Sequence, residues 1–163
     1  VGTINMKTAH LEGREFVYGE TDCYDAVRCF YQDNFGLNLP NYARPNEFWT
    51  ANMNMYLDRF YKNGFRVLDV HPSEYQPADL VIMAIKSPLG NHAGVLLESG
   101  QLFHHMYGRL STVEPYSGLW RNTTVAILRH KDIVYQPDES PVSYMELISP
   151  QRKQKIENAL SLL

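Results

Sequence analysis

Cys23 is the residue of this sequence best placed for covalent chemistry. It opens a segment whose apolar side chains recur with the spacing of an amphipathic helix, which Thr21 or Asp22 can cap. In a first helical turn, unpaired N–H groups and the positive end of the dipole favour a thiolate and can stabilise an oxyanion. Cys23 is therefore a candidate nucleophile, with a small buried side chain as the alternative. Cys29, in the middle of the helix, fits that alternative better.

A thiol nucleophile needs a base, and the six histidines differ in how well they could supply one. His92 opens a run of small and apolar residues, 92–97, in which a polar ring needs a specific role. His104 and His105 lie on the next predicted strand. Neighbouring residues of a strand face opposite sides of a sheet, so only one of this pair can share a face with His92.

The turn between the two strands decides which histidine that is. With a loop of two residues His105 shares the face of His92, whereas with three residues His104 does. The two-residue loop needs a positive φ at Ser99, which serine adopts reluctantly. The three-residue loop takes glycine at its last position, where this sequence has Gly100. We therefore expect His104 beside His92.

These choices predict a catalytic triad. Cys23 would be the nucleophile, His92 the base and later the acid, and His104 the group that orients the His92 ring. Zinc is an alternative use of the same three side chains. However, the sequence has no Cys-x-x-Cys or His-Glu-x-x-His motif and no fourth ligand at a usual spacing. We therefore expect neither a metal nor another cofactor.

The elements that must position the triad separate into helices followed by strands. One helix should run from Asp22 to near Gly36, and a second from Pro45 or Asn46 to Lys62. Segments rich in Val, Ile, Leu and aromatic residues follow, at 66–70, 79–85, 92–97, 101–107 and 125–130. This order predicts an α+β domain in which N-terminal helices pack on an antiparallel sheet.

Composition argues against several classes of protein. The net charge of −3 at pH 7, from 15 basic and 18 acidic residues, gives no basis for nucleic-acid binding. The longest apolar run, 80–85, is far shorter than the roughly 18 to 20 residues that span a bilayer. The N-terminal residues also lack the apolar core of a signal peptide. We expect a soluble protein with no membrane span and no export signal of its own.

The length of 163 residues fits one domain with an appendage. We place the domain at residues 1–130 and interpret residues 131–163 as a linker followed by an amphipathic helix. Ile156, Ala159, Leu160 and Leu163 form one apolar stripe of that helix. The stripe should be buried against this domain or against a partner.

Several motifs together resemble the NlpC-type cysteine peptidases. They are Phe16-Val17-Tyr18-Gly19, Thr21-Asp22-Cys23, Gly36-x-x-Leu39-Pro40, residues 77–82, Asn91-His92-Ala93-Gly94-Val95 and Leu102-Phe103-His104. Their order and spacing match that family over residues 14–130. The resemblance implies a papain-like fold and hydrolysis of an amide bond through a thioester. The usual target is the bond from D-glutamate to the diamino acid in a peptidoglycan stem peptide.

Within that family the chain resembles the branch found in phage tail tips. There the nucleophile is followed by Tyr, as at Tyr24, and two histidines stand together, as at His104-His105. The resemblance implies a peptidase that cuts stem peptides during cell entry, with other tail-tip proteins as partners. Its location would be the virion tail tip or, during tail assembly, the host cytoplasm. The alternative is an assembly component whose peptidase activity is weak, directed at tail proteins or vestigial.

The substrate pocket departs from that of the bacterial members. Those members follow the nucleophile with Ser and Gly, where this sequence has Tyr24 and Asp25, and their oxyanion-side Tyr aligns with Phe16. The resemblance assigns substrate binding to Asp22, to Tyr24 and, as a substitute for the missing tyrosine, to Tyr18. Helix capping is the alternative role of Asp22.

Overall fold

The computed structural model describes residues 6–45, 54–136 and 150–161. Contacts within the chain define two units, one of residues 4–135 and one of residues 1–3 with 136–163. The domain limits expected from the sequence, 1–130 and 131–163, stay a prediction.

Helix α1, Cys23–Phe35, begins where the sequence places a cap. The Asp22 carboxylate accepts a hydrogen bond from the backbone amide of Asp25, which pairs one orphan donor of the first turn. The helix ends at Gly36, whose φ of 64° is left-handed and suits glycine. The apolar residues buried along it include Ala26, Val27, Phe30 and Tyr31. α1 therefore has two fixed ends and holds Cys23 at its first position.

Helix α2 is described over Met55–Lys62. Pro45 is not helical, and the other predicted start, Asn46, lies outside the described residues. The end is as predicted, because Asn63 flanks the helix and Gly64 follows with a φ of 92°.

Six strands of the described chain form one antiparallel sheet in the order β1-β6-β2-β3-β4-β5. They are β1 Phe65–Val67, β2 Leu80–Met83, β3 His92–Leu96, β4 Gln101–His104, β5 Thr112–Pro115 and β6 Thr124–His130. Helices that precede an antiparallel sheet make the fold α+β, which confirms the predicted class.

Both faces of the sheet are covered. α1 packs on β3 and β4, and the main core on this face includes Leu80, Ile82, Ala93, Val95, Phe103 and Leu128. A smaller cluster occupies the other face, formed by Val81, Met83, Leu96, Leu102 and Ile127 with Tyr116 and Trp120 packed against it. Because successive residues of β2 are buried on opposite faces, its sequence is a continuous apolar run rather than an alternating one.

The β3–β4 hairpin has the predicted three-residue loop, Glu98–Gly100. Gly94 lies opposite His104 in the register, which puts His104 on the face of His92. The three-residue loop should spare Ser99 a positive φ, and this expectation is wrong, because Ser99 has a φ of 58°. The register is held by the two buried faces, since a slip of one residue would turn every side chain to the wrong side. This constraint outweighs the reluctance of serine.

The strand β5 and the short helix α3, Leu119–Asn122, have no counterpart in the sequence prediction. β5 is an edge strand that contains Pro115, so its extended form depends on pairing with β4 rather than on a local pattern. α3 is a single turn and too short to show helical spacing. The strand expected at 66–70 is also shorter, since β1 ends at Val67.

Helix α4, Pro150–Leu160, confirms the predicted terminal helix. Ala159 is exposed, and Leu160 is 63% exposed. The side chain of Ile156 and residue Leu163 lie outside what the structure describes, so burial of the stripe stays a prediction. Among the described residues, no helix combines the length and the apolar character needed to cross a membrane.

Candidate active site

Cys23 lies at the start of α1, enclosed by neighbouring elements. Its Sγ atom is 3.1 Å from the hydroxyl of Tyr56 on α2. The backbone amide of Ala93, which follows His92 in β3, acts on the same thiol. Only 5% of the residue is exposed. α1, α2 and β3 therefore meet at the sulfur atom.

His92 and His104 form the pair that the hairpin register predicts. His92 begins β3, His104 ends β4, and the distance from His92 Nε2 to His104 Nδ1 is 2.8 Å. Gly94 permits this approach, because a Cβ atom there would lie 3.0 Å from the Cβ of His104 and 2.9 Å from Cδ1 of Leu102. A side chain at position 94 would therefore push against β4 at the Cβ of His104 and displace that residue from His92.

The second ring nitrogen of His92 is the one available to a thiol. Nε2 is engaged by His104, whereas Nδ1 makes no hydrogen bond to another described residue. Cys23 Sγ bonds to Tyr56 rather than to an imidazole. Catalytic hydrogen bonds are often unformed without substrate. The thiol and the expected base are therefore not hydrogen-bonded to each other, and the thiol is linked to β3 through the backbone amide of Ala93, the residue after His92.

Both members of this pair are uncharged at neutral pH. Burial, and after it the Asp22 carboxylate, raise the pKa of the Cys23 thiol to about 11. Burial, together with His104 and His105, holds the pKa of His92 well below its usual value. The expected thiolate at the helix N-terminus is therefore wrong, because loss of solvent outweighs the helix dipole.

Glu114 of β5 belongs to the site and was missed by the sequence analysis. Its Oε1 atom is 3.0 Å from His104 Nε2, and its Oε2 atom accepts a 2.9 Å hydrogen bond from Arg109. Leu102 lies opposite Glu114 in the register, which makes Glu114 the diagonal neighbour of His104. Only the pairing of an unpredicted edge strand could have revealed this contact.

Trp120 of α3 covers the histidine pair. Its ring meets His104 edge to face at 4.5 Å and lies 6.1 Å from the ring of His92. The Arg109 guanidinium lies 5.9 Å from the same indole. Trp120 therefore shields the imidazoles from solvent on the side away from α1, which contributes to the burial that keeps them neutral.

His105 is also buried but makes different contacts. Its Nε2 atom bonds to the backbone carbonyl of Arg109 at 3.1 Å, and its ring meets Phe16 edge to face at 5.1 Å. It makes no hydrogen bond to either histidine of the pair. This is the arrangement that strand alternation predicts for the neighbour of His104.

Asp22 is 2% exposed, and its carboxylate is fully engaged. It accepts hydrogen bonds from the backbone amides of Gly19 and Asp25 and, at 2.6 Å, from Nε of Arg44. The Arg44 side chain is itself 1% exposed, and its Nη2 atom has no hydrogen-bond partner among the described residues. Asp22 therefore fulfils its alternative, capping role and also anchors a buried ion pair beside the thiol.

The two tyrosines assigned to substrate lie in different surroundings. Tyr18 is 37% exposed, and its hydroxyl donates to the carbonyl of Pro45 at 2.7 Å. Tyr24 is 2% exposed, donates to the carbonyl of Pro40 at 2.8 Å and stacks on Tyr56 with 6.1 Å between ring centres. Of these two rings, only that of Tyr18 is open to solvent. Their contact with substrate stays a prediction.

Neither of two surface cavities opens on the thiol. One of about 360 Å³ is lined by Tyr75, Tyr116 and Arg121, and one of about 120 Å³ lies beside Cys29. In the described part of the chain, no group of three or more His, Cys, Asp or Glu side chains is arranged to hold a metal ion.

Comparison with known proteins gives relatives over most of this region. The sequence model of the NlpC/P60 family matches residues 13–129. The tail tip assembly proteins K of Escherichia phages N15 and lambda are 40% and 34% identical to the chain over 122 residues. These matches cover 74% and 75% of this chain but 49% and 60% of the phage proteins, so the chain spans less than two thirds of their length.

A solved structure shows the same fold at lower identity. A lipoprotein-like NLP/P60 family protein of Staphylococcus aureus subsp. aureus Mu50 has a TM-score of 0.50 and 19% identity, over 73% of this chain and 37% of that one. The family model covers far more than half of the chain, and both phage relatives exceed 30% identity. The chain therefore belongs to the NlpC/P60 family.

Proposed function

We propose that the chain is a cysteine peptidase of a phage tail tip, and that it hydrolyses an amide bond in peptidoglycan stem peptides during cell entry. The observation that carries this proposal is the buried, hydrogen-bonded pair of His92 and His104 at the start of β3, where the next backbone amide, that of Ala93, acts on the Cys23 thiol. Two imidazoles buried in a sheet contribute less to stability than apolar side chains would, so a chemical role accounts for them better than a structural one.

The reaction starts from a neutral thiol and a neutral imidazole. As Sγ of Cys23 attacks the substrate carbonyl, His92 Nδ1 accepts the thiol proton and the carbonyl oxygen takes the electron pair. The backbone amides of Cys23 and Tyr24 make no hydrogen bond to a described residue, so they are available to the oxyanion. His92 then protonates the departing amine. Water hydrolyses the resulting thioester with His92 again acting as the base.

The bond from D-glutamate to the diamino acid is the target that fits the family. Tyr18, with its exposed ring, is the residue we assign to direct contact with the peptide. Asp22 and Tyr24 are each 2% exposed, so in this proposal they bind substrate only after local opening and otherwise hold Arg44 and Pro40 in place.

The names of the two phage relatives support the location and the partners. Both are tail tip assembly proteins, and they share 40% and 34% of their matched residues with this chain. We therefore assign the chain to the tail tip of a virion, with other tail-tip proteins as its neighbours. Assembly of the tail would take place in the host cytoplasm.

Digestion of purified peptidoglycan tests the activity. The wild-type chain should release stem-peptide fragments with a new amino terminus on the diamino acid, identified by mass spectrometry. Cys23→Ala should release none. Cys29→Ala is the matched control, because it removes the other thiol of α1 and should leave the fragments unchanged. If wild type and Cys23→Ala gave the same fragments, the peptidase assignment would be refuted.

An assembly role is the second candidate, and one observation favours it. The thiol is 5% exposed and hydrogen-bonded to Tyr56, as in a site that is closed or no longer used. In this case Cys23→Ala phage would assemble tails and infect at the wild-type rate, whereas deletion of the chain would abolish tail formation. Plaque counts and electron microscopy of the two mutants separate the candidates.

A further inference from the structure

A line of four side chains runs from the proposed base to the protein surface. His92 Nε2 lies 2.8 Å from His104 Nδ1, and His104 Nε2 lies 3.0 Å from Glu114 Oε1. Glu114 Oε2 then accepts a 2.9 Å hydrogen bond from Arg109 Nη2. Arg109 Nη1 also donates to Glu114 Oε1 at 3.4 Å, so the guanidinium contacts both carboxylate oxygens and the four groups form one continuous chain.

The Glu114 carboxylate determines which nitrogen of each imidazole carries the proton. An ionised carboxylate can only accept hydrogen bonds, whereas a neutral imidazole carries one N–H and one acceptor nitrogen. His104 must therefore donate from Nε2 to Glu114 and accept at Nδ1. His92 must then donate from Nε2, which leaves the lone pair on its Nδ1. A thiol proton can be transferred to that lone pair.

The assignment needs an ionised Glu114 and a neutral His104, and the groups around each residue favour that state. Burial alone would raise the pKa of Glu114, but the hydrogen bonds from Arg109 and His104 lower it below its usual value. Burial, together with the charges of Arg109 and His105, lowers the pKa of His104 more than the contact with Glu114 raises it. Glu114 is thus ionised and His104 neutral at neutral pH, as the single assignment of protons requires.

We propose that Glu114, paired with Arg109, is a positioning residue that fixes the tautomer of His104 and so makes Nδ1 of His92 the base. This inference rests on the proposed peptidase function and deepens it. Glu114 neither gains nor loses a proton. When His92 takes the thiol proton, the imidazolium is stabilised through His104 by the carboxylate, in the way an aspartate stabilises the histidine of a serine protease.

The other explanation of Glu114 is mechanical. Its ion pair with Arg109 could brace the edge strand β5, which has no further partner strand in the described sheet. The Arg109 side chain is 48% exposed, and an exposed ion pair is worth at most about 1 kcal/mol. A bracing role predicts a small loss of stability, and it makes no prediction about which imidazole nitrogen carries hydrogen.

Nitrogen NMR of the histidine rings tests the assignment without using activity. In wild-type protein labelled with ¹⁵N-histidine, at neutral pH, His92 and His104 should both show the Nε2–H tautomer. In Glu114→Gln the amide can donate as well as accept, so His104 should populate both tautomers. Glu98→Gln, which changes a carboxylate in the β3–β4 loop, is the control and should leave the spectra as in wild type. A His104 ring with hydrogen on Nδ1 in the wild type would overturn the inference.

Activity in two backgrounds supplies the second test. Glu114→Gln should lower kcat by about 10- to 100-fold with little change in KM, because a tautomer is lost rather than a substrate contact. Asn Oδ1 occupies the place of His Nδ1, and it accepts from His92 without needing Glu114. When Glu114→Gln is added to the His104→Asn variant, it should therefore change kcat by less than about twofold. Equal losses in both backgrounds would overturn the proposal and favour bracing.

The two tests separate this inference from the function it rests on. If peptidoglycan is not cut by the wild type, the peptidase assignment fails, while the NMR spectra still report the tautomer. If Cys23-dependent cutting persists but His104 keeps one tautomer in Glu114→Gln, the inference about Glu114 fails alone.

Discussion

The two cysteines of α1 lie less than two helical turns apart, and their surroundings differ in kind. Cys23 is buried against Tyr56 and lies beside a buried carboxylate, Asp22. Cys29 is partly exposed, with its sulfur 3.9 Å from Nη1 of Arg14 and 3.8 Å from a carboxylate oxygen of Asp25. Burial raises the pKa of both thiols, and a neighbouring aspartate raises it further in each case.

This comparison shows that a lowered pKa does not mark the proposed nucleophile. Neither thiol is activated in the resting protein. Cys23 differs in two other respects, because it lies at a helix N-terminus whose first amides are not hydrogen-bonded to described residues, and because the backbone amide that follows His92 in β3 acts on its sulfur. The geometry of the base and of the oxyanion donors, rather than the charge of the sulfur, separates a nucleophile from a bystander.

The adjacent histidines at the end of β4, His104 in the strand and His105 just after it, offer the largest test of that distinction. His104→Ala should lower kcat/KM for stem peptides by about a thousandfold, because the His92 ring loses the partner that orients it. His105→Ala, one residue away and bonded instead to the Arg109 carbonyl, should cost less than about threefold. Steady-state kinetics on a synthetic stem peptide decide the matter, and the reverse ranking would mean that the wrong face of the hairpin carries the chemistry.

The next largest effect concerns the ion pairs beside the two cysteines, which should differ in how much they stabilise the fold. Arg44→Ala leaves the Asp22 carboxylate buried without its cation and should lower the free energy of unfolding by about 3 to 5 kcal/mol. Arg28→Ala breaks the more exposed pair with Asp25 and should cost about 1 kcal/mol or less. Urea unfolding followed by circular dichroism measures both. Equal losses would show that Asp22 is well solvated.

Alkylation should be faster at Cys29 than at Cys23, although Cys23 is the proposed nucleophile. With iodoacetamide at mildly alkaline pH, Cys29 should react about tenfold faster than Cys23, because the Cys23 sulfur is enclosed and its thiolate is scarce. Peptide mapping after timed quenching gives the two rates, with denatured protein as the reference for equal reactivity. Faster labelling of Cys23 would mean that the enclosure by Tyr56 opens readily in solution.

The smallest expected effect comes from removing the Tyr56 hydroxyl, which contacts the Cys23 thiol. The hydrogen bond from Tyr56 lowers the pKa of Cys23, so Tyr56→Phe should move that pKa upward from about 11. The change in unfolding free energy should be about 0.5 to 1.5 kcal/mol. Ultraviolet titration of the thiolate in a Cys29→Ser background measures the shift. Tyr24→Phe, whose hydroxyl bonds to Pro40, is the control and should leave the thiol unchanged.

The parts of this fold that local rules govern could be predicted from the sequence. The cap at Asp22 and the end of α1 at Gly36 follow from helix chemistry, and Gly100 at the last loop position indicated the hairpin register that the buried faces then hold. Alternation along β4 then placed His104 beside His92. Each of these inferences needs only residues that are close in sequence or joined by one short loop.

The parts that the sequence did not reveal depend on contacts between distant segments. Glu114 reaches His104 through an edge strand whose own pattern is weak, and Trp120 covers the pair from a single helical turn. The sign of the Cys23 pKa shift depends on burial by α2, which begins more than thirty residues later and which a helix-dipole argument does not include. Local electrostatics predicted the direction wrongly because solvent exclusion is a property of the assembled core.

The position of Trp120 also gives the protein an optical readout. An indole that contacts an imidazole edge to face at 4.5 Å loses fluorescence when that imidazole becomes charged. The sequence has two tryptophans, and replacing Trp49 with Phe leaves Trp120 as the only source of indole emission. The brightness of that single ring then reports whether the histidine pair carries a proton, so the proposed base can be titrated with light and without substrate.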